Sequence, residues 1–305
     1  MIINQIDVAE INKYIGGIVV GDNISATKIT SFEKIENKAI VFCKYIDVRP
    51  KCNCSGIIIA PLDYNLDLRG DSTLILVENP KVSFSKLISK VISNTEKVKI
   101  SNTASISSTA VLGKNVTIGE FAVIGDDVSI GDNTTILEGC VIKNGVIIGS
   151  NCLLGSNSCI GIQGFGLAEE KNSMISMPHI GTVIIENDVH IGSLCTVAKG
   201  VIDDTIIGEN SKISHNVNIG HNSNIGKNCI ITGKSQISGS VIIGDNTWIG
   251  PNCSIIQKKR IGKDCTVGIG SVVVSDLPDG STIMAPPSVR IKEFLNLKRM
   301  ISDKG

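Results

Sequence analysis

One apolar residue every six positions runs through most of this chain. Ile106, Leu112, Ile118, Ile124, Ile130, Ile136, Ile142, Ile148, Leu154 and Ile160 keep that spacing without a miss. A second run holds it from Ile207 through Ile213, Ile219, Ile225 and Ile231 to Val267 and Val273. An α-helix repeats its buried face about every 3.6 residues and a half-buried strand about every 2, so neither accounts for so long a six-residue period. Glycine often follows the apolar slot directly, as at Gly119, Gly125, Gly220 and Gly244. A short strand and a tight turn per unit satisfy both facts, and stacked units build a parallel β-helix. Three units close one triangular coil. Residues about 18 apart therefore stack vertically, and residues about 6 apart fall on different walls.

The frame also decides how the ten cysteines are read. Cys140, Cys152, Cys195, Cys229, Cys253 and Cys265 each sit two residues before an apolar slot, where other units carry Thr134, Val128 or Val146. That is a small inward position, and cysteine there behaves as a small hydrophobe. Cys52 and Cys54 form a bare Cys-x-Cys with no second pair at zinc spacing. No metal is expected. Lys plus Arg equals Asp plus Glu at 29 each, so no net field recruits nucleic acid or an anionic membrane. No apolar run approaches the roughly 18 residues that span a bilayer. The start, Met1 to Asp7, lacks the basic and apolar regions of a secretory signal, so a cytoplasmic protein without a transmembrane segment is expected.

Residues 1–100 lack the period and read as a small α/β domain. A short helix is expected over Ile6–Ile15, ended by Gly16-Gly17. Strands are expected at Ile18–Val20, Ala39–Cys43, Gly56–Ala60 and Leu74–Val77, and an amphipathic helix from Asn79-Pro80 to about Ser93. Residues 101–284 form the β-helix. It is interrupted at 162–182 by a segment that cannot be placed on the frame, and long loops on a regular solenoid commonly shape a site. The frame slips in phase at Val201–Thr205 and dissolves after Val273. Residues 285–305 are expected to form a helical cap over the open end of the coil.

Four histidines stand in the sequence. His215 lies two residues past an inward slot, so its ring points outward, either solvated or facing a substrate. His215 and His221 fall on different faces and cannot grip one metal ion. Gly233-Lys234-Ser235 resembles the end of a phosphate-binding loop, but Asn228 stands where its first glycine belongs.

The repeat resembles the hexapeptide acyltransferase superfamily, whose β-helix is left-handed. The match narrows on Gly164-Phe165-Gly166, Pro178-His179-Ile180-Gly181, Val201-Ile202-Asp203-Asp204-Thr205 and Ile213-Ser214-His215-Asn216-Val217, in that order. So arranged they resemble the UDP-3-O-(3-hydroxyacyl)glucosamine N-acyltransferases of lipid A synthesis. The first 100 residues likewise resemble that family's nucleotide-binding domain. The resemblance implies a homotrimer with sites between neighbouring coils, and His215 as the base that takes a proton from an attacking amine. It implies the Gly233 N–H as oxyanion donor, since residue 233 stands one coil above His215. Phe42, Tyr45, Gly164, Phe165, Gly166 and His179 are implied to bind substrate.

Lys258 takes the place of a second family histidine. With Lys259 and Arg260 it reads either as a phosphate-binding cluster for the acyl donor or as a solvated basic turn. The partners implied are a nucleotide-linked amino sugar and an acyl thioester on carrier protein or coenzyme A, with no cofactor held permanently. The expected reaction is N-acylation of that sugar. Two readings stand beside it: an acetyl-coenzyme A-dependent amino-sugar N-acetyltransferase for O-antigen or capsule, and a non-catalytic β-helix scaffold.

Overall fold

The computed structural model describes residues 1–44, 55–64, 72–93, 99–171 and 173–285. It divides into two compact units, Met1–Lys97 and Val98–Gly305. Tyr45, Cys52, Cys54 and the expected terminal helix lie outside the described residues.

The first unit runs β1 (Ile2–Asp7), α1 (Val8–Ile15), β2 (Ile18–Val20), β3 (Ser25–Ile29), β4 (Ala39–Phe42), β5 (Gly56–Pro61), β6 (Thr73–Val77) and α2 (Pro80–Ser93). One sheet in the order β1-β3-β4-β5-β6-β2 holds the strands. The central four are parallel, and antiparallel β1 and β2 close the edges. Central β5 reads Gly-Ile-Ile-Ile-Ala and is buried on both faces, as a covered parallel strand must be. Ile57, Ile59 and Ile75 pack with Ile11 of α1 and Leu87 of α2, while Ile58, Ala60, Leu74 and Leu76 form the core of the opposite face.

Two local expectations shift. Ile6 belongs to β1, opposite Ala26, because Asp7 caps α1 by accepting the Glu10 N–H at 2.8 Å and so starts the helix at Val8. Strand β3 has no counterpart in the sequence reading, because only Ala26 and Ile29 of its five residues are buried.

The second unit is the coil. Three parallel sheets form its walls, of nine, eight and nine strands among the described residues. Strands of the first wall include Val141–Ile142 and Asn218–Ile219, the second Ile147–Ile148 and Asn224–Ile225, the third Leu153–Leu154 and Lys212–Ile213. The second residue of each pair is the periodic slot. These isoleucines stack with the small inward residues as a single core, from Val116 to Val273. The coil continues past Val273 into Thr282–Ile283, which pairs with Thr266–Val267, so the frame survives there in shortened units.

Where the coil is regular, asparagine and aspartate fill the corners. Asn133, Asn151, Asn210, Asn228, Asn246 and Asp264 all have φ between 55° and 60°, a left-handed conformation these side chains tolerate best among non-glycine residues. Between the second and third walls their amides stack, with Asn210 donating to Asn228 at 2.8 Å and Asn246 to Asp264 at 3.0 Å. Exposed pairs Lys227–Glu209 and Lys263–Asp245 line the same seam, each worth about 0–1 kcal/mol.

The inward cysteines do more than fill space. Thr134, Ser211 and Ser235 at the equivalent position each donate to a glycine carbonyl on the next coil, at 2.8–2.9 Å. Cys140, Cys229 and Cys253 point their thiols at Gly155, Gly244 and Gly268 carbonyls in the same way, at 2.9, 3.2 and 3.1 Å. Burial pushes the Cys140 thiol up to about 11 and raises Cys152, Cys195, Cys229 and Cys253 as well. At pH 8 these thiols stay protonated and enclosed. A thiol reagent should therefore leave them unmodified in the native protein and modify them once denaturant is added, a contrast that mass spectrometry of labelled peptides reads directly. Ile237→Ala, at a fully buried slot, should lower unfolding free energy by about 2–5 kcal/mol in a denaturant titration.

Candidate functional site

Two of the three corners depart from the regular pattern, and they carry the candidate chemistry. At several corners the residue two past the slot extends its N–H toward a side chain one coil on. Asp132 accepts from Lys114 at 2.7 Å, Asn187 from Ser150 at 2.8 Å, Asp245 from Lys227 at 2.9 Å and Asp279 from Lys263 at 2.8 Å.

Between the third and first walls His215 takes that capping place. Its Nδ1 accepts the Ser193 N–H at 2.8 Å. A backbone N–H can only donate, so the neutral ring carries its proton on Nε2. The side chain is exposed. One coil on, the capping place holds Gly233, and the next holds Pro251, so no side chain caps the N–H of His215 or of Gly233. Neither N–H makes a hydrogen bond among the described residues. A Cβ added at Gly233 would lie 3.2 Å from the His215 carbonyl and 3.6 Å from the Ser214 Oγ, so a side chain here would crowd the His215 corner.

The corner between the first and second walls gathers the irregular segments. The 37-residue register step across the insertion and the 22-residue step across the phase slip both arise there, against 18 in the regular coils. The insertion folds into an antiparallel hairpin, Leu167–Glu170 with Ser173–Ser176, whose described residues are all exposed. Sequence patterning missed it because no face of the hairpin is apolar.

At its base His179 is buried, 3% exposed. The ring donates from Nδ1 to the Met177 carbonyl at 2.9 Å, and its Nε2 is buried without a partner. Gly164 and Gly166 pass directly over this ring, and a Cβ on Gly164 would collide with Nε2. Phe165 between them is 88% exposed. His221 is half-buried and meets His179 edge to face, centroids 5.2 Å apart. Its carbonyl accepts the Ser240 N–H at 2.7 Å, and the Gly239 carbonyl accepts the Lys258 N–H at 3.0 Å.

The structure thus brings Gly164, Phe165, Gly166, His179 and Lys258 to one corner and His215 and Gly233 to another. His215 and His221 stand on separate corners. Lys258 and Arg260 are exposed and Lys259 is half-buried; Arg260 continues onto the second wall. Phe42, at the end of β4, packs on Phe84 with centroids 4.7 Å apart. No group of three or more metal-ligating residues occurs among the described residues. None of their helices is long and apolar enough to cross a membrane.

Comparison with known proteins agrees with this architecture. A family model described as the hexapeptide repeat of succinyl-transferase matches residues 240–275, and one described as the GMPPB C-terminal domain matches 94–164. UDP-N-acetylglucosamine acyltransferase from Campylobacter jejuni is similar in structure, with TM-score 0.56 and 25% identity over 66% of this chain and 77% of that one. The Francisella novicida enzyme of that name gives the same score and identity over 66% and 73%. The chain is thus similar, in its repeat and its coil, to the class of hexapeptide-repeat acyltransferases.

Within that class its sequence likeness runs to UDP-3-O-acylglucosamine N-acyltransferases. That of Caulobacter vibrioides is 38% identical over 150 residues, 48% of this chain and 44% of the relative. That of Dechloromonas aromatica is 38% identical over 74 residues, 24% and 21%. The chain spans less than half the length of these curated relatives.

The loop geometry yields one test of its own. Gly164→Ala should force the His179 ring aside and loosen the hairpin, read as faster limited proteolysis within 163–182 with little change in the melting of the coil.

Proposed function

We propose that this protein moves an acyl group from a thioester donor to the amine of a nucleotide-linked amino sugar. The observation that carries the reading is the pairing of exposed His215 with the uncapped N–H of Gly233, one coil above it and without a side chain. An attacking amine must lose a proton as the C–N bond forms, and imidazole, with an ordinary pKa near 6.5, is suited to take it. The thioester carbonyl gathers negative charge in the same step. An N–H with no other partner stabilises that charge without first giving up a bond. The thiolate then leaves and is protonated, and no acyl-enzyme forms.

For this chemistry the lone pair of His215 must face the amine. As held by Ser193, the ring presents Nε2–H outward. A half-turn about the Cβ–Cγ bond releases that hydrogen bond, at a cost of about 1 kcal/mol. With Nδ1 released, solvent returns a proton to Nδ1 and takes the one on Nε2, and Nε2 becomes the base.

The two candidate corners lie one wall apart on the coil. A homotrimer, with the loop corner of one copy set against the His215 corner of the next, would complete the site between subunits. In this reading the first unit holds the nucleotide, and Lys258, Lys259 and Arg260 hold the phosphates of the donor. The likeness to UDP-3-O-acylglucosamine N-acyltransferases favours a long 3-hydroxyacyl chain, whose buried methylenes each contribute about 0.8 kcal/mol.

The test is a screen pairing acetyl-coenzyme A and 3-hydroxyacyl carrier protein with UDP- and dTDP-amino sugars. Turnover is expected to rise steeply with acyl length to ten carbons or more. Efficient acetyl transfer with none from the long-chain carrier would make the protein an amino-sugar N-acetyltransferase. His215→Ala should reduce transfer by about 10²–10⁴ while the melting temperature and the trimer, measured by light scattering, stay unchanged. Turnover within a few-fold of wild type would place the base elsewhere.

A further inference from the structure

Beside the loop insertion sits a second imidazole whose protonation pattern the fold fixes. Asn222 Oδ1 accepts the Val201 N–H at 3.0 Å, and its Nδ2 donates to the Asp203 carbonyl at 2.9 Å. Both partners are backbone groups of one character only, so the amide cannot be reversed. The oxygen that faces His221 Nδ1 at 3.0 Å is therefore an acceptor, and Nδ1 carries the proton. In the neutral ring the lone pair stands on Nε2. That nitrogen has no partner among the described residues, and it is not among the atoms sealed from solvent. His215 is held in the opposite tautomer, with its proton outward.

The ring is also immobilised. A Cβ on Gly239 would lie 2.5 Å from His221 Nε2, and one on Gly164 would lie 3.0 Å from its Cβ. The imidazole is thus clasped between the backbone of the next coil and the inserted loop, with the His179 ring against it. Beside it His179 Nε2 is sealed from solvent, which leaves His221 Nε2 as the open nitrogen of the pair. Next to Gly164, Phe165 is the most exposed aromatic side chain described.

We propose that His221 Nε2 accepts a hydrogen bond from a hydroxyl or amine of the sugar ring of the substrate, while Phe165 covers the C–H face of that ring. This rests on the acyl-transfer reading and assigns it a sugar-positioning residue. In the neutral ring this lone pair repels an anion, so a hydroxyl or amine suits the nitrogen better than a diphosphate oxygen. A metal ion would need further ligands, which the described residues do not supply. A hexose offers both a donor for the nitrogen and an apolar face for the aromatic ring.

The experiment follows the histidine nitrogens of the full-length protein by long-range 1H–15N NMR, with UDP-glucosamine as probe and UDP as control. The free protein should show His221 as the Nδ1–H tautomer. Its Nε2 resonance should move with UDP-glucosamine and stay in place with UDP. His221→Phe, which keeps the ring shape and loses the acceptor, should raise the acceptor KM about five- to tenfold, the worth of one neutral hydrogen bond. Donor KM should not change, and His221→Gln should restore part of the loss through its amide oxygen.

An Nε2 resonance that ignores bound UDP-glucosamine, or moves equally with UDP, overturns the assignment, as does an equal rise in both KM values. Failure of the sugar to bind at millimolar concentration overturns it too. If His221 responds to the sugar but no donor supports transfer, the enzymatic reading falls and this one stands.

Discussion

Every coil must present one apolar side chain per wall to the same narrow interior. That single constraint organises the structure. A parallel ladder fixes residue 142 beside 124 and residue 249 beside 231, so each slot isoleucine rests on its counterpart one coil away. The walls can absorb no insertion without breaking the stack, because one extra residue in a strand would turn the following slot outward. Extra residues are confined to corners, where a loop can leave and return to the same register. Both irregular segments obey this, and both leave at the same corner.

Corner chemistry then follows from how backbone N–H groups are satisfied. Where aspartate or asparagine from the next coil caps such an N–H, that donor has nothing left to offer a ligand. The seam between the second and third walls is of that kind, with its amide ladder and ion pairs. At the His215 corner a histidine, a glycine and a proline replace the capping residues in succession. Two donors stay free beside a titratable ring. At the loop corner Asn222 spends both ends of its amide on the phase-slip segment and turns His221 into an acceptor. One scaffold therefore presents imidazoles of opposite polarity on two of its edges.

Much of this was legible in the chain. The period of six located the walls, the break at Gly161 located the insertion, and the outward placing of His215 followed from its distance to the slot. The separation of His215 from His221 followed from the same count. Other features left too little local signal. Strand β3 buries only two apolar residues, and the hairpin within the insertion buries none. The coil reaches Ile283 within the expected 101–284, but its last strand was not legible by itself because shortened units break the spacing while keeping the hydrogen-bond register. The cysteines were legible as small inward residues, but their thiol contacts to glycine carbonyls on the next coil were not.

The sequence by itself determined the repeating architecture, because a period is a property of the chain and needs no partner to be read. It also determined which histidine faces outward, since that depends only on counting from the nearest slot. Tertiary structure alone decided the protonation pattern of the rings, the freedom of the Gly233 N–H and the burial of His179. The first two depend on groups 18 to 22 residues away on a neighbouring coil, and the burial of His179 depends on Gly164, Gly166 and His221, brought together by the winding of coil and loop. Spacing records where a side chain lies on its own unit. The hydrogen bond that fixes its chemistry comes from the unit above or below.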